Sequence, residues 1–377
     1  MKKVTFAVGD LRMGGSMRVQ SVIANNLDKE KYDVTVFSMR KVKSYFHLDP
    51  EIIYSKNAIT NNQFRSILVK TGIQKYILRQ PVDMTVVPNT KMINDLVKYV
   101  KDNRIETLVL VEQWAVVAKE LKEQLPATKL IAWLHLNVTI YESFLYGKSY
   151  AKLKKSYEYC DLICVLTQED RDTLISNGFD KVKVMHNPLT IEQHNEKADL
   201  ESKKISFVGR IDYHHKGLDY LLEVAQQMSD EWSIEIAGKG MLFEEKRFAR
   251  EIKKKGLDKK IHWSGAKTGE DLKKHFQDSS IFISTSRFEG FPLVFAEAMS
   301  FGLPVLAMKN SGSEEVLNKG EYGILVNQGD TSDFTKKLKQ LQEKMDLKVK
   351  YGTLSKKRSE MFSIDKIITL WEEILDY

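Results

Sequence analysis

The stretch RFEGFPLVFAEAMSFGLP, residues 287–304, sets Glu289 and Glu297 eight positions apart around a Gly-Phe-Pro turn. Pro292 fits the first position of a helix, where its missing N–H costs nothing, and Gly302 with Pro304 fits the stop. The apolar run between them predicts a buried helix of about three turns. The N–H groups of its first turn, near Leu293 and Val294, favour an anion. Two carboxylates beside that site repel an anion unless they hold neutral hydroxyls instead. A ligand with both phosphates and hydroxyls, such as a nucleotide sugar, resolves the conflict. The plainer reading is an acidic first turn that suits the helix dipole. Glu297, however, lies inside the buried-looking run LVFAEAM, and an unpaired buried carboxylate is costly, which argues for a bound partner.

A second constellation is SFVGRIDYHHKGLDYLLEV. Arg210 follows a strand, and Lys216 precedes Gly217 where a helix starts. Two cations at such a junction suit a diphosphate, Arg as a fork and Lys as a point charge; a capped surface turn explains the local pattern about as well. Gly14 and Gly15 fall between the first strand and the first helix, where a ligand could approach the backbone closely. Their spacing is not GxGxxG, so a dinucleotide site is not supported. His135, in IAWLHLN, ends a strand; a lone His is more often structural than catalytic. Asp170 and Asp172 spell Asp-x-Asp, but at a helix start, where capping is the expected role. His214 and His215 lack the partners of a metal site and are expected to shape the loop around Lys216.

Elements that could position these residues follow from the hydrophobic pattern. Strand-like runs KVTFAVG, YDVTVFS, ETLVLVE, KLIAWLH, DLICVLT and KVKVMHN alternate with helical stretches such as GGSMRVQSVIANNL and KMINDLVKYVKDN. After the polar run TIEQHNEKADLESKK the alternation restarts with ISFVGR, WSIEIAG, KIHWSG, SIFISTS, PVLAMK and YGILVN. This predicts two doubly wound α/β domains, each with a parallel sheet, whose ligands bind beyond the carboxyl ends of strands. A length of 377 residues fits two such domains. The expected boundaries are 1–187, a linker at 188–203, a second domain at 204–360, and a C-terminal helix at 361–377.

Cys160 and Cys164, four apart in one strand, would sit roughly 13 Å apart, too far for a disulfide. They read as reduced core thiols. No apolar run approaches the roughly 20 residues that span a bilayer, and the short apolar start reads as a strand rather than a signal peptide, so a cytoplasmic protein is expected. The net charge of +7 and pI near 9.0 raise the question of an anionic partner. No nucleic-acid-reading motif appears. Arg65, Lys70, Lys75 and Arg79, with Lys148, Lys152, Lys154 and Lys155, make the first domain basic enough to meet an anionic membrane leaflet.

Glu289 and Glu297 around GFPL, with Arg210 and the Lys216–Gly217 pair, resemble the retaining glycosyltransferases of family 4. The resemblance extends over nearly the whole chain, through the Gly14–Gly15 loop, His135 and VLTQEDRDTLISNGFDKVKVMHNPL. It implies the GT-B architecture: two Rossmann-like domains facing a central cleft, with the C-terminal helix crossing back to the first. It also implies roles. Arg210 and Lys216 would hold the donor diphosphate, and Glu289 the donor sugar. Backbone groups of Gly290, Phe291, Pro292 and Leu293 would assist, and Glu297 would take the ribose hydroxyls. Gly238 and Gly240 would approach the nucleoside, with WSGAK near the base. Gly15 would approach the phosphates or acceptor, and His135 the sugar's outer hydroxyl. His135, Glu289, Lys216 and Arg210 are the expected catalytic set, with no metal and no cofactor.

The implied reaction is a metal-independent, retaining hexosyl transfer from a nucleotide-diphosphate donor, with uridine diphosphate as the family's common choice. No carboxylate is placed as a nucleophile, so front-face substitution is expected. The expected acceptor belongs to a bacterial capsular polysaccharide, exopolysaccharide or lipid-linked oligosaccharide. Teichoic acid or protein glycosylation, a GT-B nucleotide-sugar epimerase, and a non-catalytic partner subunit remain alternatives.

Overall fold

A computed structural model describes residues 1–76, 82–191 and 196–377. Arg79 of the basic first-domain stretch lies outside the described residues, as do residues 192–195 of the expected linker. The chain forms two compact units, residues 1–188 with 364–377, and residues 189–363.

The first unit carries β1 (Lys2–Val8), β2 (Tyr32–Arg40), β3 (Glu51–Ile59), β4 (Thr107–Val111), β5 (Lys129–Trp133), β6 (Leu162–Val165) and β7 (Val182–Val184). They form one sheet in the order β3-β2-β1-β4-β5-β6-β7, with every pairing parallel. The centre of the sheet is buried on both faces, which is why β4 reads as the unbroken apolar run TLVLV. Helices cover it. In Thr90–Asn103, Met92, Ile93, Leu96, Val97 and Val100 make one buried stripe, the Asn89 side chain accepts from Met92 N–H, and Arg104 ends the helix at φ 55°. Cys160 and Cys164 are free and buried. Burial pushes both thiols up to about 12.

The C-terminal helix, Ile364–Asp376, belongs to this first unit. Trp371 is fully buried against Trp133, with ring centroids 4.5 Å apart, and touches Phe6. Lys129 Nζ donates to the carbonyl of Ile374 at 2.6 Å, and Tyr32 OH to Asp376 at 2.7 Å. Cations at a helix C-terminus complement its dipole as well as its unpaired carbonyls.

The second unit carries β8 (Lys204–Val208), β9 (Ser233–Ala237), β10 (Ile261–Trp263), β11 (Ile281–Ser284), β12 (Val305–Met308) and β13 (Ile324–Val326). Their order, β10-β9-β8-β11-β12-β13, repeats that of the first sheet without its last strand, again with every pairing parallel. Counted within each unit this is the 3-2-1-4-5-6 order of a doubly wound nucleotide-binding sheet. The order reverses between β1 and β4 in one unit and between β8 and β11 in the other. Connections there leave in opposite directions and open a crevice beyond the strand ends.

Of the linker expected at 188–203, Pro188 belongs to the first unit, and the described residues 189–191 and 196–203 are attached along the second. Leu189 N–H donates to Phe362 O at 2.7 Å, Ala198 N–H to Phe301 O at 2.9 Å and Asp199 N–H to Gln277 O at 2.8 Å.

Candidate functional site

The crevice between β8 and β11 collects the charged residues that the sequence singled out. Gly209 and Arg210 leave β8. The turn Tyr213–Lys216 then starts at Asp212, whose side chain accepts from His215 N–H at 2.9 Å. It ends at Gly217, where φ is 59° and a Cβ would lie 2.2 Å from the carbonyl oxygen of Thr285. Only glycine allows that approach, and it lets Thr285 Oγ1 donate to Lys216 O at 2.9 Å. Lys216 is thereby fixed against the loop that follows β11.

That loop presents Glu289. Lys216 Nζ donates to Glu289 Oε1, and both residues are only 9% exposed. Burial by itself would raise the Glu289 carboxyl. The Lys216 ammonium and His215 outweigh it, and the group is held far below the usual carboxylate range. His215 Nε2 stands 3.7 Å from Glu289 Oε2, and its Nδ1 lies 3.1 Å from Arg210 Nη2. A guanidinium only donates, so Nδ1 accepts and the ring proton sits on Nε2, facing Glu289. The imidazole is stacked on Phe288, with centroids 4.6 Å apart and planes at 17°. Arg210, exposed to solvent, joins the buried pair through this ring.

Several residues that no sequence argument singled out hold the Glu289 loop. Arg287 makes a two-pronged pair with Asp219 at 3.0 and 2.6 Å and stacks on Tyr220 at 4.1 Å. Its backbone N–H donates to His215 O at 2.8 Å. Beneath Glu289, Gly312 N–H donates to its carbonyl at 3.2 Å, and a Cβ on Gly312 would lie 2.8 Å from Glu289 Cβ. Asn310 and Ser313 cap the helix Ser311–Val316 reciprocally. The run KNSGSEEV carries that signal as a strand end followed by a capping box.

The helix after the Gly-Phe-Pro turn is Leu293–Ser300, with Pro292 just outside it as the capping residue. It is one residue shorter at its start than the sequence implied, because Pro292 adopts an extended ψ of 99°. Gly290 precedes Phe291, which is buried against Phe362 at 5.2 Å. No side chain caps the first turn at Leu293, and that turn holds no acid. Glu297 is 1% exposed, as expected. It is not the lone carboxylate the sequence suggested, since Thr190 Oγ1 donates to its Oε1 at 2.7 Å.

Gly238 and Gly240 need no ligand to account for them. A Cβ on Gly238 would lie 1.7 Å from Gly209 O, and one on Gly240 2.2 Å from Ile211 O. The segments leaving β8 and β9 press against each other here. Trp263 Nε1 donates to Gly238 O at 2.9 Å and closes the same corner.

Gly15 and His135 lie in the first unit, beyond β1 and β5. Gly15 begins the helix Gly15–Asn26, whose start at Gly14 has no side-chain cap, and a Cβ on Gly14 would meet nothing within 4 Å. His135 is 6% exposed and packs on Trp133 at 4.3 Å. Both of its ring nitrogens are buried, with no hydrogen-bond partner among the described residues. Burial pulls its pKa down to about 3, so the ring is neutral. Its backbone N–H donates to Glu112 Oε1 at 2.9 Å, and Tyr141 OH donates to Glu112 Oε2 at 2.8 Å. Glu112, which the sequence reading passed over as a strand end, has φ of 51°, a strained value for a side chain of this kind. Burial pushes its carboxyl up to about 7 despite the two hydrogen bonds.

Thr167 caps the helix Gln168–Ser176, its Oγ1 accepting from Asp170 N–H at 3.1 Å and donating to Asp170 Oδ2 at 2.6 Å, and Asp170 Oδ1 accepts from Val138 N–H at 2.8 Å. Among the described residues no cluster of three metal-ligating side chains occurs.

The family model for glycosyl transferases group 1 matches residues 190–358, essentially the second unit. Over the full length of both chains the protein is 30% identical to an uncharacterized glycosyltransferase of Haemophilus influenzae. It is 24% identical, over 100% of this chain and 98% of the relative, to the GalNAc-α-(1→4)-GalNAc-α-(1→3)-diNAcBac-PP-undecaprenol α-1,4-N-acetyl-D-galactosaminyltransferase of Campylobacter jejuni. The crystal structure of Anabaena HepE in complex with UDP-glucose superposes over 100% of both chains with a TM-score of 0.73 at 17% identity, a likeness of fold. Two parallel doubly wound sheets and a C-terminal helix returned to the first of them are the GT-B arrangement. With a full-length relative at this identity, the chain belongs to the group 1 glycosyl transferases and is a glycosyltransferase.

Proposed function

We propose that this protein transfers a hexosyl group, with retention and without a metal ion, from a nucleoside diphosphate donor to a bacterial surface-glycan acceptor. The observation that carries this reading is the buried Lys216–Glu289 pair, joined to Arg210 through His215 at the crevice of the second sheet. An ammonium group has three N–H donors. One is given to Glu289, which leaves two for phosphate oxygens. Arg210, exposed at the same crevice, supplies a second cation. The uncapped turn at Leu293, behind Gly290, Phe291 and Pro292, offers backbone N–H groups to the same charge.

In the reaction, the acceptor hydroxyl forms a bond to the anomeric carbon on the face from which the diphosphate departs. The bond from that carbon to the diphosphate oxygen breaks, and the hydroxyl proton passes to the departing oxygen. Negative charge grows on the leaving group, where Lys216 and Arg210 act. One well-placed electrostatic group of this kind contributes about 10²- to 10³-fold in rate. Glu289 holds the donor sugar and Glu297, shared with Thr190, the ribose hydroxyls. Gly238 and Gly240 shape the nucleoside's corner. In the first unit, Gly15 opens the backbone to ligand, and the unpartnered ring nitrogens of His135 take a sugar hydroxyl. A buried imidazole with two unmet nitrogens favours a polar partner.

A uridine nucleotide is supported by the UDP-glucose in the HepE complex. A lipid-linked acceptor is supported by the PP-undecaprenol substrate in the name of the Campylobacter jejuni relative, and a polysaccharide by an amylovoran biosynthesis glycosyltransferase of Erwinia amylovora. Such an acceptor places the protein at the cytoplasmic face of a membrane. No helix among the described residues is long and apolar enough to cross one. Arg65 and Lys70 are exposed on the helix Asn61–Tyr76 with Val69 and Ile73, a surface suited to an anionic leaflet.

The test is incubation with a panel of nucleotide sugars and a polyprenyl-diphosphate oligosaccharide in the presence of a chelator, read by proton NMR. The reading expects α-configured product from an α-configured donor. Product of inverted configuration, or activity that a chelator removes and Mn²⁺ restores, contradicts it.

A further inference from the structure

The outer face of the helix Leu242–Lys254 takes no part in the reading above, yet it is unusual. The three residues at its start, Met241, Leu242 and Phe243, are consecutive and 65%, 66% and 61% exposed. The helix is pinned to the second unit on one side only, by Phe248 and Ile252. At about 100° per residue, Arg247, Arg250 and Lys254 fall within about 40° of Phe243 around the axis, and Lys246 and Lys253 within about 80°. Glu244 and Glu245 fall outside that sector, about 100° and 160° from Phe243, and Glu251 lies at its edge, about 80° from Phe243 on the side opposite Lys253. Glu245 accepts from Gly240 N–H at 2.8 Å.

The free cations of this face are therefore Lys246, Arg250, Lys253 and Lys254. They are exposed, and none has a carboxylate within ion-pair distance among the described residues. Arg247 is partly committed, its guanidinium lying 3.7 Å over the ring of Tyr213. Elsewhere on the surface, lysines alternate with acids and pair at one turn's spacing, as Lys98 does with Asp102 and Lys274 with Asp278. A helix face with all its cations on one side and an apolar tip at one end is not an ordinary solvated face.

We propose that this face is a second membrane-contact surface, carried by the nucleotide-side unit, that docks on anionic lipid headgroups and inserts Leu242 and Phe243 at the interface. Charge alone would suit any polyanion. The exposed apolar triplet distinguishes lipid, because it gains from an acyl boundary and gains nothing from a soluble phosphate polymer. The surface is separate from the Arg65–Lys70 surface of the first unit and does not depend on the catalytic reading.

The test is co-sedimentation of the full chain with phosphatidylglycerol-containing vesicles and with neutral phosphatidylcholine vesicles, at low and high salt. Each cation near an anionic leaflet contributes about fivefold to partitioning. Lys246→Gln, Arg250→Gln and Lys254→Gln together are expected to weaken binding to the anionic vesicles by about 100-fold. Leu242→Ser with Phe243→Ser should remove the part of the binding that survives high salt. All five positions are exposed, so the folded state and donor turnover in solution are expected to persist. A Phe243→Trp variant should gain blue-shifted fluorescence, relative to wild type, on anionic vesicles only. Unchanged partitioning of both sets of variants overturns the proposal. So does equal capture by soluble heparin with no fluorescence shift on vesicles, which would assign the face to an anionic polymer.

Discussion

Replacing Lys216 by alanine removes the cation from a carboxylate that water hardly reaches. Both partners are 9% exposed, so solvent screens the pair weakly. After the substitution, Glu289 keeps only the more distant His215, 3.7 Å away. Removing one partner of a buried ion pair destabilises by about 3–5 kcal/mol, because the other charge is left uncompensated. With a urea slope of about 2 kcal/mol per molar, the unfolding midpoint of the second unit should fall by about 2 M.

The pH dependence follows from the same pair. In the wild type the Glu289 carboxyl is held far below its usual range. Its stabilisation is therefore present above the unfolded value, about 4.5, and is lost as pH falls below it. In Lys216→Ala burial dominates, the carboxyl rises, and protonation on acidification relieves the defect. The gap between variant and wild type should narrow as pH is lowered toward about 4. Lys216→Met combined with Glu289→Gln leaves no buried charge and should recover most of the loss. Urea unfolding of wild type, Lys216→Met, Glu289→Gln and their double variant, a double-mutant cycle, measures this directly. Losses that simply add, or a gap that is constant with pH, would refute the account of the pair.

Glu297→Ala should raise the donor's KM by about 10- to 150-fold with a smaller change in kcat, since ribose contacts hardly alter during transfer; a wild-type KM would remove Glu297 from the donor site. His215→Phe keeps the stack on Phe288 but leaves Arg210 without its acceptor, and should raise donor KM by about fivefold, while an unchanged KM would show that Arg210 needs no positioning. Glu112 has the opposite sign to Glu289. Its folded pKa is raised from 4.5 to about 7, so its contribution is largest below 4.5 and declines as pH rises to about 7. Glu112→Gln should flatten the urea midpoint across that window relative to wild type, and identical profiles would show that Glu112 does not titrate there.

Much of this was legible in the residues, and the exceptions have physical reasons. Twelve of the strands named above coincide with runs in which β-branched and apolar residues cluster between turn signals. β3 escaped because EIIYSKNAI is an edge strand, half solvated, and alternates too weakly to stand out. Arg210, Lys216 and Glu289 were visible as types at strand ends. Their union was not, because 73 residues separate Lys216 from Glu289 and only the β8–β11 pairing brings them together. Gly238 and Gly240 were expected to approach the nucleoside; their close packing against the carbonyls of Gly209 and Ile211 was not legible, because it joins the ends of two different strands. Glu112 gave no signal, since a Glu ending a strand usually faces water and here a left-handed backbone turns it inward to Tyr141 and His135.

The central claim is that the crevice of the second unit holds a nucleoside diphosphate through Arg210 and Lys216. Isothermal titration of the intact protein with uridine, guanosine, adenosine and thymidine diphosphates tests it most directly, with Arg210→Ala as the comparison because Arg210 is exposed and its loss spares the fold. The account predicts saturable binding of at least one of them, uridine diphosphate first, at one site per chain, weakened by about 10- to 150-fold in Arg210→Ala. Failure of all four to bind, or equal affinity in the variant, would contradict it.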